Sequence, residues 1–168
     1  MMRPATGADR AAIMALYRRV AGVPDGLART PAEITAAYID GFMARAASDG
    51  VELVWEANDG SGQLLGEIHA SSPGIASLAH LLTDLTIAVD PQAQGQGVGR
   101  ALFQGLLEHV LLQMPQISRV ELFARASNRR ARALYLSLGF VDEGVLRRRV
   151  NNARGEAQDD TIMGWLRP

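Results

Sequence analysis

A glycine-rich segment in the second half of the chain has the residue types of an anion-binding loop. It reads Gln94-Gly95-Gln96-Gly97-Val98-Gly99-Arg100 and lies between an apolar stretch ending at Asp90-Pro91 and a stretch with helical periodicity. The first N–H groups of a helix have no partner within the helix and carry partial positive charge. Glycines let that backbone approach a ligand closely, so the segment predicts a site for phosphate, most simply a pyrophosphate. The glycines alone are equally typical of a flexible turn.

Two other phosphate-binding loops fit the sequence less well. A Walker loop requires a lysine, whereas all 17 basic residues of this chain are arginines. A dinucleotide fingerprint requires an acidic residue about 20 positions downstream, within a doubly wound sheet. Glu121 lies at roughly that distance and Glu108 is too close, but the surrounding strands read as hairpins rather than as successive strand–helix units.

The elements that must hold this loop can be read from the period of the apolar residues. An apolar period near 3.6 residues predicts helices over 9–20, over 98–113 and from Asn128 to Gly139. A further helix is predicted to begin at the capping box Thr30-Pro31-Ala32-Glu33. Strand patterns, several of them separated by turn residues, cover 1–4, 51–57, 63–70, 81–89, 117–124, 140–150 and 158–166. This order predicts a mixed α/β sheet in one domain over residues 1–168.

Composition narrows the class of protein further. The chain has 168 residues, 48% of them hydrophobic, which is enough for a sizeable core. Its 17 basic and 18 acidic residues nearly balance, so no global charge favours nucleic acid or an anionic membrane. The absence of cysteine excludes disulfides and a thiolate nucleophile. With no signal-peptide pattern and no long apolar run, we expect a soluble cytoplasmic protein without a metal site.

Two separate blocks of the sequence match the pattern of one family. The first is the loop Gln94 to Gly99 with its lead-in, Asp84-Leu85-Thr86-Ile87-Ala88-Val89-Asp90-Pro91, and the second is Asn128 to Phe140. They resemble the signature blocks of the GNAT superfamily of acetyl-CoA-dependent N-acetyltransferases, and the order of predicted elements agrees along the whole chain. The resemblance implies the GNAT fold, a mixed and mostly antiparallel sheet of about seven strands flanked by four helices.

The resemblance also assigns residues to the binding of acetyl-CoA. In the family, amides of the signature loop hold the CoA pyrophosphate, which corresponds here to Gln94, Gly95, Gln96, Gly97, Val98, Gly99 and Arg100. The backbone of the fourth strand holds the pantetheine arm, which corresponds to Ile87 and Val89. Asn128 occupies another position that contacts this arm. Arg129 and Arg130 open a helix beside the expected cofactor, whereas the run Arg147-Arg148-Arg149 is more typical of a solvated face.

For catalysis, the resemblance assigns the general acid to Tyr135. A phenol with a pKa of about 10 is protonated at neutral pH and can protonate a departing thiolate. Periodicity alone favours a packing role, because Tyr135 shares a helical stripe with Leu134 and Leu138. Asp84 is the candidate base, since many family members carry a glutamate at that position. His80 and His69 are alternatives, because imidazole titrates near neutral pH.

These expectations define a function and its alternatives. The sequence predicts transfer of an acetyl group from acetyl-CoA to a primary amine by direct attack, without a covalent enzyme intermediate. The acceptor is expected to be a small molecule, an amino acid or a peptide N-terminus, and the family includes many homodimers. The alternatives are a non-catalytic acyl-CoA sensor with the same fold and a nucleotide-binding module that uses the glycine-rich loop.

Overall fold

The computed structural model describes residues 1–24 and 26–168. The strands are β1 (Met2–Pro4), β2 (Gly50–Glu56), β3 (Leu64–Ser71), β4 (Leu81–Val89), β5 (Arg119–Arg125), β6 (Val141–Asn151) and β7 (Ala157–Leu166). The helices in this part of the chain are α1 (Arg10–Ala21), α2 (Ala36–Asp49), α3 (Val98–Gln113) and α4 (Arg129–Ser137).

The seven strands form one sheet in the order β1-β2-β3-β4-β5-β7-β6. Every neighbouring pair is antiparallel except β4 and β5, which are parallel. The chain can make that parallel pair because α3 crosses from the end of β4 to the start of β5. The predicted fold class, a mixed and mostly antiparallel sheet of seven strands flanked by four helices, is confirmed.

Two buried clusters lie on opposite faces of the sheet. One contains Phe103 and Leu106 of α3 together with Phe140 and Trp165, and the other contains Tyr17 of α1 and Phe42 of α2. Strand side chains alternate between the two faces, so neighbouring residues of β2 and β3 enter different clusters. The site residues on these strands are therefore held between two packed layers.

The predicted start of the second helix is wrong. The capping box of Thr30 and Glu33 is present, but it closes only a 3₁₀ turn at Pro31–Glu33. Ile34 then has a non-helical backbone conformation, and α2 begins at Ala36 with Thr35 as its cap. The capping pattern satisfies orphan N–H groups equally well in a single turn, so it does not fix the length of the helix that follows.

The buried face of α2 differs from the stripe that the sequence predicts. The period of the apolar residues predicts a buried stripe of Ile34, Ala37, Tyr38, Gly41 and Phe42. Ile34 and Phe42 are buried, Tyr38 and Gly41 are half-buried, and Ala37 is exposed. Ile39, which the prediction did not include, is fully buried. Tyr38 is thus placed at the border between the core and an open cavity.

Candidate active site

A cleft of about 520 Å³ opens between β4 and β5. The two strands pair only where Leu81 and Leu82 face Arg119 and Val120. Beyond this point, β4 from Asp84 to Ile87 and β5 from Leu122 to Arg125 line opposite sides of the cleft. The gap therefore leaves backbone polar groups of both strands without a strand partner, which makes them available to a ligand.

The register of β4 decides which backbone groups face the cleft. The N–H of Asp90 donates to the carbonyl of Leu65 at 2.9 Å, on the β3 side. In an antiparallel ladder, alternate residues point their N–H and C=O groups to opposite sides. Ile87 and Val89 therefore point theirs away from β3 and toward the gap, as the predicted pantetheine contacts require.

A β-bulge in β4 aims a carboxylate into the same cleft. Thr83 pairs with Ser71 and Thr86 pairs with His69, so Asp84 and Leu85 together lie opposite one residue of β3. Asp84 has a φ of 52° and an exposed side chain that lines the cleft. A positive φ at a non-glycine residue is uncommon and recurs where a strand is bent at a functional site.

The glycine-rich loop leads directly into α3 and leaves amides unbonded. Gly95 and Gly97 have φ values of 82° and 86°, and Gly97 is the N-cap of α3. Within the described residues, the N–H groups of Gly97, Val98 and Gly99 make no backbone hydrogen bond. These amides lie at the positive end of a 16-residue helix, an arrangement that can attract an anion.

Unlike the free backbone amides of the loop, two of its side chains are hydrogen-bonded within the protein. Those of Gln96 and Arg100 bond to Gln92 O at 2.8 Å and to Ser137 Oγ at 3.0 Å, so both are engaged within the protein. A Cβ built on Gly95 would lie 3.4 Å from Nη2 of Arg130, which places this guanidinium beside the loop. Arg129 is exposed and does not line the cleft.

Tyr135 and Asn128 face the cleft from α4 and its cap. The Tyr135 ring packs 4.9 Å from that of Phe103, and the residue is 9% exposed. Burial raises the pKa of its hydroxyl to about 12, and this hydroxyl makes no hydrogen bond to the described residues. Tyr135 therefore packs in the core, as its periodicity predicts, and still presents a protonated phenol to the cleft. Asn128 Oδ1 caps α4 through the Ala131 N–H at 3.1 Å, which leaves its NH₂ group to face the cleft.

The three candidate bases differ in whether they line the cleft. Asp84 and His69 both line the cleft, and His80 does not. His80 is exposed, and its carbonyl accepts the N–H groups of Ser118 and Arg119 at 2.9 and 3.2 Å. The cleft therefore brings together Asp84, His69 and Tyr135 from three different elements.

A match to a family model agrees with this geometry. The model described as an acetyltransferase (GNAT) domain covers residues 50–142, over half of the chain. The chain belongs to the GNAT acetyltransferase family. The matched segment runs from β2 through the bulge, the signature loop and α4, so it contains both blocks that carried the resemblance.

Two curated relatives of this chain are acetyltransferases with different substrates. Over 81 residues the chain is 42% identical to ribosomal protein bS18-alanine N-acetyltransferase of Escherichia coli K12, covering 48% of this chain and 53% of that protein. Over 94 residues it is 38% identical to mycothiol acetyltransferase of Beutenbergia cavernae, covering 55% of this chain and 30% of that protein. The matched segments thus span about half, or less, of these relatives.

A solved structure shows the same fold along nearly the whole chain. The structure of yncA from Salmonella typhimurium with its cofactor acetyl-CoA superposes with a TM-score of 0.78 at 20% identity, covering 99% of this chain and 92% of that one. In the described part of the GNAT domain, no group of three or more potential ligand side chains could hold a metal ion. No helix in that part is both long and apolar enough to cross a membrane.

Behind His69 the protein buries a hydrogen-bonded network that the sequence analysis missed. Glu67 is fully buried, accepts a 2.5 Å bond from the Tyr17 hydroxyl, and lies 3.0 Å from His69 Nδ1. The His69 ring stacks on Phe42 with centroids 4.0 Å apart. A Glu67 carboxylate that accepts from Nδ1–H fixes the tautomer and leaves Nε2 as an acceptor.

Glu52, the strand partner of His69, adds a second acid to this layer. Burial, followed by repulsion from Glu67 and Asp9, raises its pKa to about 8. One Glu52 oxygen is buried without a hydrogen-bond partner among the described residues. Because the pKa in the folded state exceeds the ordinary value of 4.5, this group favours folding below pH 4.5, and the contribution is lost as pH rises through 8.

The variant Glu52→Gln should therefore stabilise the protein at alkaline pH and not at acidic pH. The side chain is only part-buried, so solvent screening reduces the gain at pH 8.5 to about 1–2 kcal/mol. Thermal or denaturant unfolding at pH 5 and pH 8.5 measures the difference. Glu108→Gln, at an exposed position of α3, is the matched control. An equal effect of Glu52→Gln at both pH values would contradict the raised pKa.

Proposed function

We propose that this GNAT-family protein transfers an acetyl group from acetyl-CoA to a primary amine by direct attack. The observation that carries the proposal is the cleft between β4 and β5, where a free strand edge meets candidate acid and base residues. The glycine-rich loop follows directly after the end of β4. Family membership and the acetyl-CoA bound in a protein of the same fold support the choice of cosubstrate. The named activities of the relatives support an amine acceptor.

The residues around the cleft fit the parts of acetyl-CoA. The free amides of Gly97, Val98 and Gly99, with Arg130 nearby, suit the pyrophosphate. The exposed edge of β4 at Ile87 and Val89 suits the amide groups of the pantetheine arm, which add to the sheet edge like a further strand. The Asn128 NH₂ group suits a carbonyl oxygen of the same arm. Together these contacts direct the thioester toward Asp84 and Tyr135.

In the proposed reaction, the amine must lose a proton before it attacks. Asp84 accepts that proton, directly or through a water, because its exposed carboxylate lines the cleft. The amine nitrogen then bonds to the thioester carbonyl carbon, and the carbon–sulfur bond breaks. Tyr135 donates its phenolic proton to the departing sulfur, and a pKa of about 12 keeps this phenol protonated across the working pH range.

His69 is the second candidate base, and a specific observation favours it. Its Nδ1 is held by buried Glu67 at 3.0 Å, the arrangement that orients an imidazole for proton transfer. His69 lines the cleft but is only 4% exposed, so the substrate amine must approach the imidazole closely before a proton can transfer. Asp84 needs no such approach, because its side chain is already exposed.

Calorimetric titration tests the cosubstrate first. Acetyl-CoA and CoA should bind in buffer containing a chelator, whereas ATP should bind far more weakly. Absence of CoA binding would overturn the proposal, and equal binding of ATP would favour the nucleotide-binding alternative. An acetyl-CoA consumption screen over a panel of amines then separates an enzyme from a non-catalytic sensor.

The variant Gly97→Ala should weaken CoA binding at least tenfold. A Cβ at this N-cap meets nothing within 4 Å in the free protein, so any loss of affinity reports the approach of a ligand. The positive φ makes alanine cost about 1 kcal/mol of stability, and a β-branched residue would cost more. Gly60→Ala has a φ of 74° in an exposed turn with equally open space, so it matches this strain away from the cleft. If both variants bind CoA as the parent does, the loop does not hold the pyrophosphate.

A further inference from the structure

The cleft is rich in arginine. Four arginines and two aspartates line the cleft. Arg149 is paired with Asp160 at 2.7 Å. Arg125 donates to the Leu27 carbonyl at 3.3 Å and has further interactions within the chain. The remaining charged residues that line the cleft are Arg29, Arg45 and Asp84.

Arg29 and Arg45 have no carboxylate at ion-pair distance within the described part of the chain. The acid that Arg29 influences electrostatically is Glu33, and the Glu33 carboxylate accepts hydrogen bonds from the N–H and hydroxyl of Thr30 at 2.8 and 2.9 Å. Arg45 lies seven residues after Tyr38 on α2 and therefore faces the same side of the helix. Two guanidiniums thus line one cavity, and neither forms an ion pair with a carboxylate of residues 1–24 or 26–168.

Both guanidiniums influence one aromatic side chain electrostatically. The Arg29 Cζ atom lies 4.1 Å from the centroid of the Tyr38 ring. Burial raises the pKa of Tyr38, while Arg29 and Arg45 both act to lower it, so both are within electrostatic range of its hydroxyl. Tyr38 packs edge-on against Phe42 at 5.4 Å. Beside an apolar wall, the attraction of the arginines for an anion is stronger than in open water.

We propose that Arg29 and Arg45 form a subsite for an anionic group of the acceptor, most simply a carboxylate. This inference rests on the proposed function, and it narrows the acceptor to a small amine that also carries a negative charge, as a free amino acid does. Guanidiniums bind carboxylates in a planar, two-bonded geometry, and Tyr38 adds a hydroxyl to the subsite. Asp84, exposed in the same cleft, is the complementary group for the ammonium.

The proposed subsite favours a free amino acid over the N-terminus of a peptide as the acceptor. A peptide continues as a neutral amide where an amino acid has its carboxylate. It would leave two exposed arginines facing an uncharged group, and the charge-assisted hydrogen bonds that a carboxylate accepts would be lost. The subsite therefore discriminates by charge at the carboxyl end of the acceptor rather than by the size of its side chain.

Paired acceptors test the subsite on the intact protein. Free amino acids, their carboxamides, the matching aminoalkylphosphonates and short peptides are compared by kcat/KM with saturating acetyl-CoA. We expect kcat/KM for an anionic acceptor to exceed that for its carboxamide by at least tenfold. This is the size of effect typical of a hydrogen bond to a charged group. Whether the carboxylate or the phosphonate is better identifies the anion. Preference for carboxamides or peptides would overturn the subsite alone, whereas CoA binding without acetylation of any amine would overturn the proposed function.

The variants Arg29→Gln and Arg45→Gln should each reduce this preference at least fivefold and raise KM for the anionic acceptor, while the KM for acetyl-CoA stays within twofold. Arg45→Lys keeps the charge and should retain part of the preference. Arg154→Gln, in an exposed turn between β6 and β7, removes one charge away from the cleft and should change nothing. If Arg29→Gln and Arg45→Gln instead raise the KM for acetyl-CoA with every acceptor alike, these arginines bind the cosubstrate and the subsite is wrong.

Discussion

The variant Tyr135→Phe should lower kcat by about 10²–10⁴-fold while the KM for acetyl-CoA changes little. Only the hydroxyl is lost, and the ring keeps its packing against Phe103 and Phe140. The interaction of that hydroxyl with the departing sulfur forms mainly in the transition state, so its loss affects kcat rather than binding. Steady-state kinetics with the best acceptor measure the effect.

Two internal controls distinguish a role of Tyr135 as general acid from a role in packing. The melting temperature of Tyr135→Phe should stay close to that of the parent, because its hydroxyl has no hydrogen bond within the described residues. The affinity for CoA should also be unchanged in calorimetry. A kcat equal to that of the parent would return Tyr135 to the packing role that the helical stripe alone predicts. Water donating to the sulfur would place the loss at the lower end of the range.

The variant Asp84→Asn should lower the rate about 10²-fold at acidic pH and much less at alkaline pH. A base is needed while the amine is protonated, and the requirement weakens as the free amine accumulates with rising pH. Profiles of kcat/KM against pH for the parent and the variant show whether the deficit narrows. Because an asparagine keeps the size of the side chain, the bulge in β4 should be preserved.

Two histidine variants complete the assignment of the base. His69→Gln removes the competing imidazole from the cleft, and His80→Gln is the matched control because His80 is exposed outside it. If His69→Gln shows the pH-dependent deficit and Asp84→Asn does not, the imidazole is the base and Glu67 positions it. If the deficit belongs to Asp84→Asn, the buried Glu67–His69 pair has a structural role.

Features of the site that depend on local sequence were predictable. The signature loop needs positive φ values, a strand end before it and a helix after it, and all three are encoded within about a dozen residues. The roles expected for Ile87 and Val89 follow from strand alternation once the register is known. The predictions of the acid and the cofactor residues remain proposals, although Tyr135, Ile87 and Asn128 do line one cleft.

What the sequence did not reveal depends on contacts between distant elements. Arg29 and Arg45 face one cavity only because β4 and β5 separate after Val120 and because α2 begins at Ala36. A weak signal existed, since Arg45 continues the spacing of Tyr38 and Phe42 along one helix face. Glu67 carried no signal, since a lone acid in a strand is ordinarily exposed.

The most direct test of the central claim follows the acetyl group itself. The protein is incubated with acetyl-CoA carrying a ¹³C-labelled acetyl group and a panel of amines, and mass spectrometry records the products with free CoA. We predict that at least one amine gains the labelled acetyl group in equal amount to the CoA released, and that Tyr135→Phe slows this transfer without abolishing CoA binding. Tight binding of acetyl-CoA with no labelled amine from any acceptor would contradict the account and favour a non-catalytic sensor.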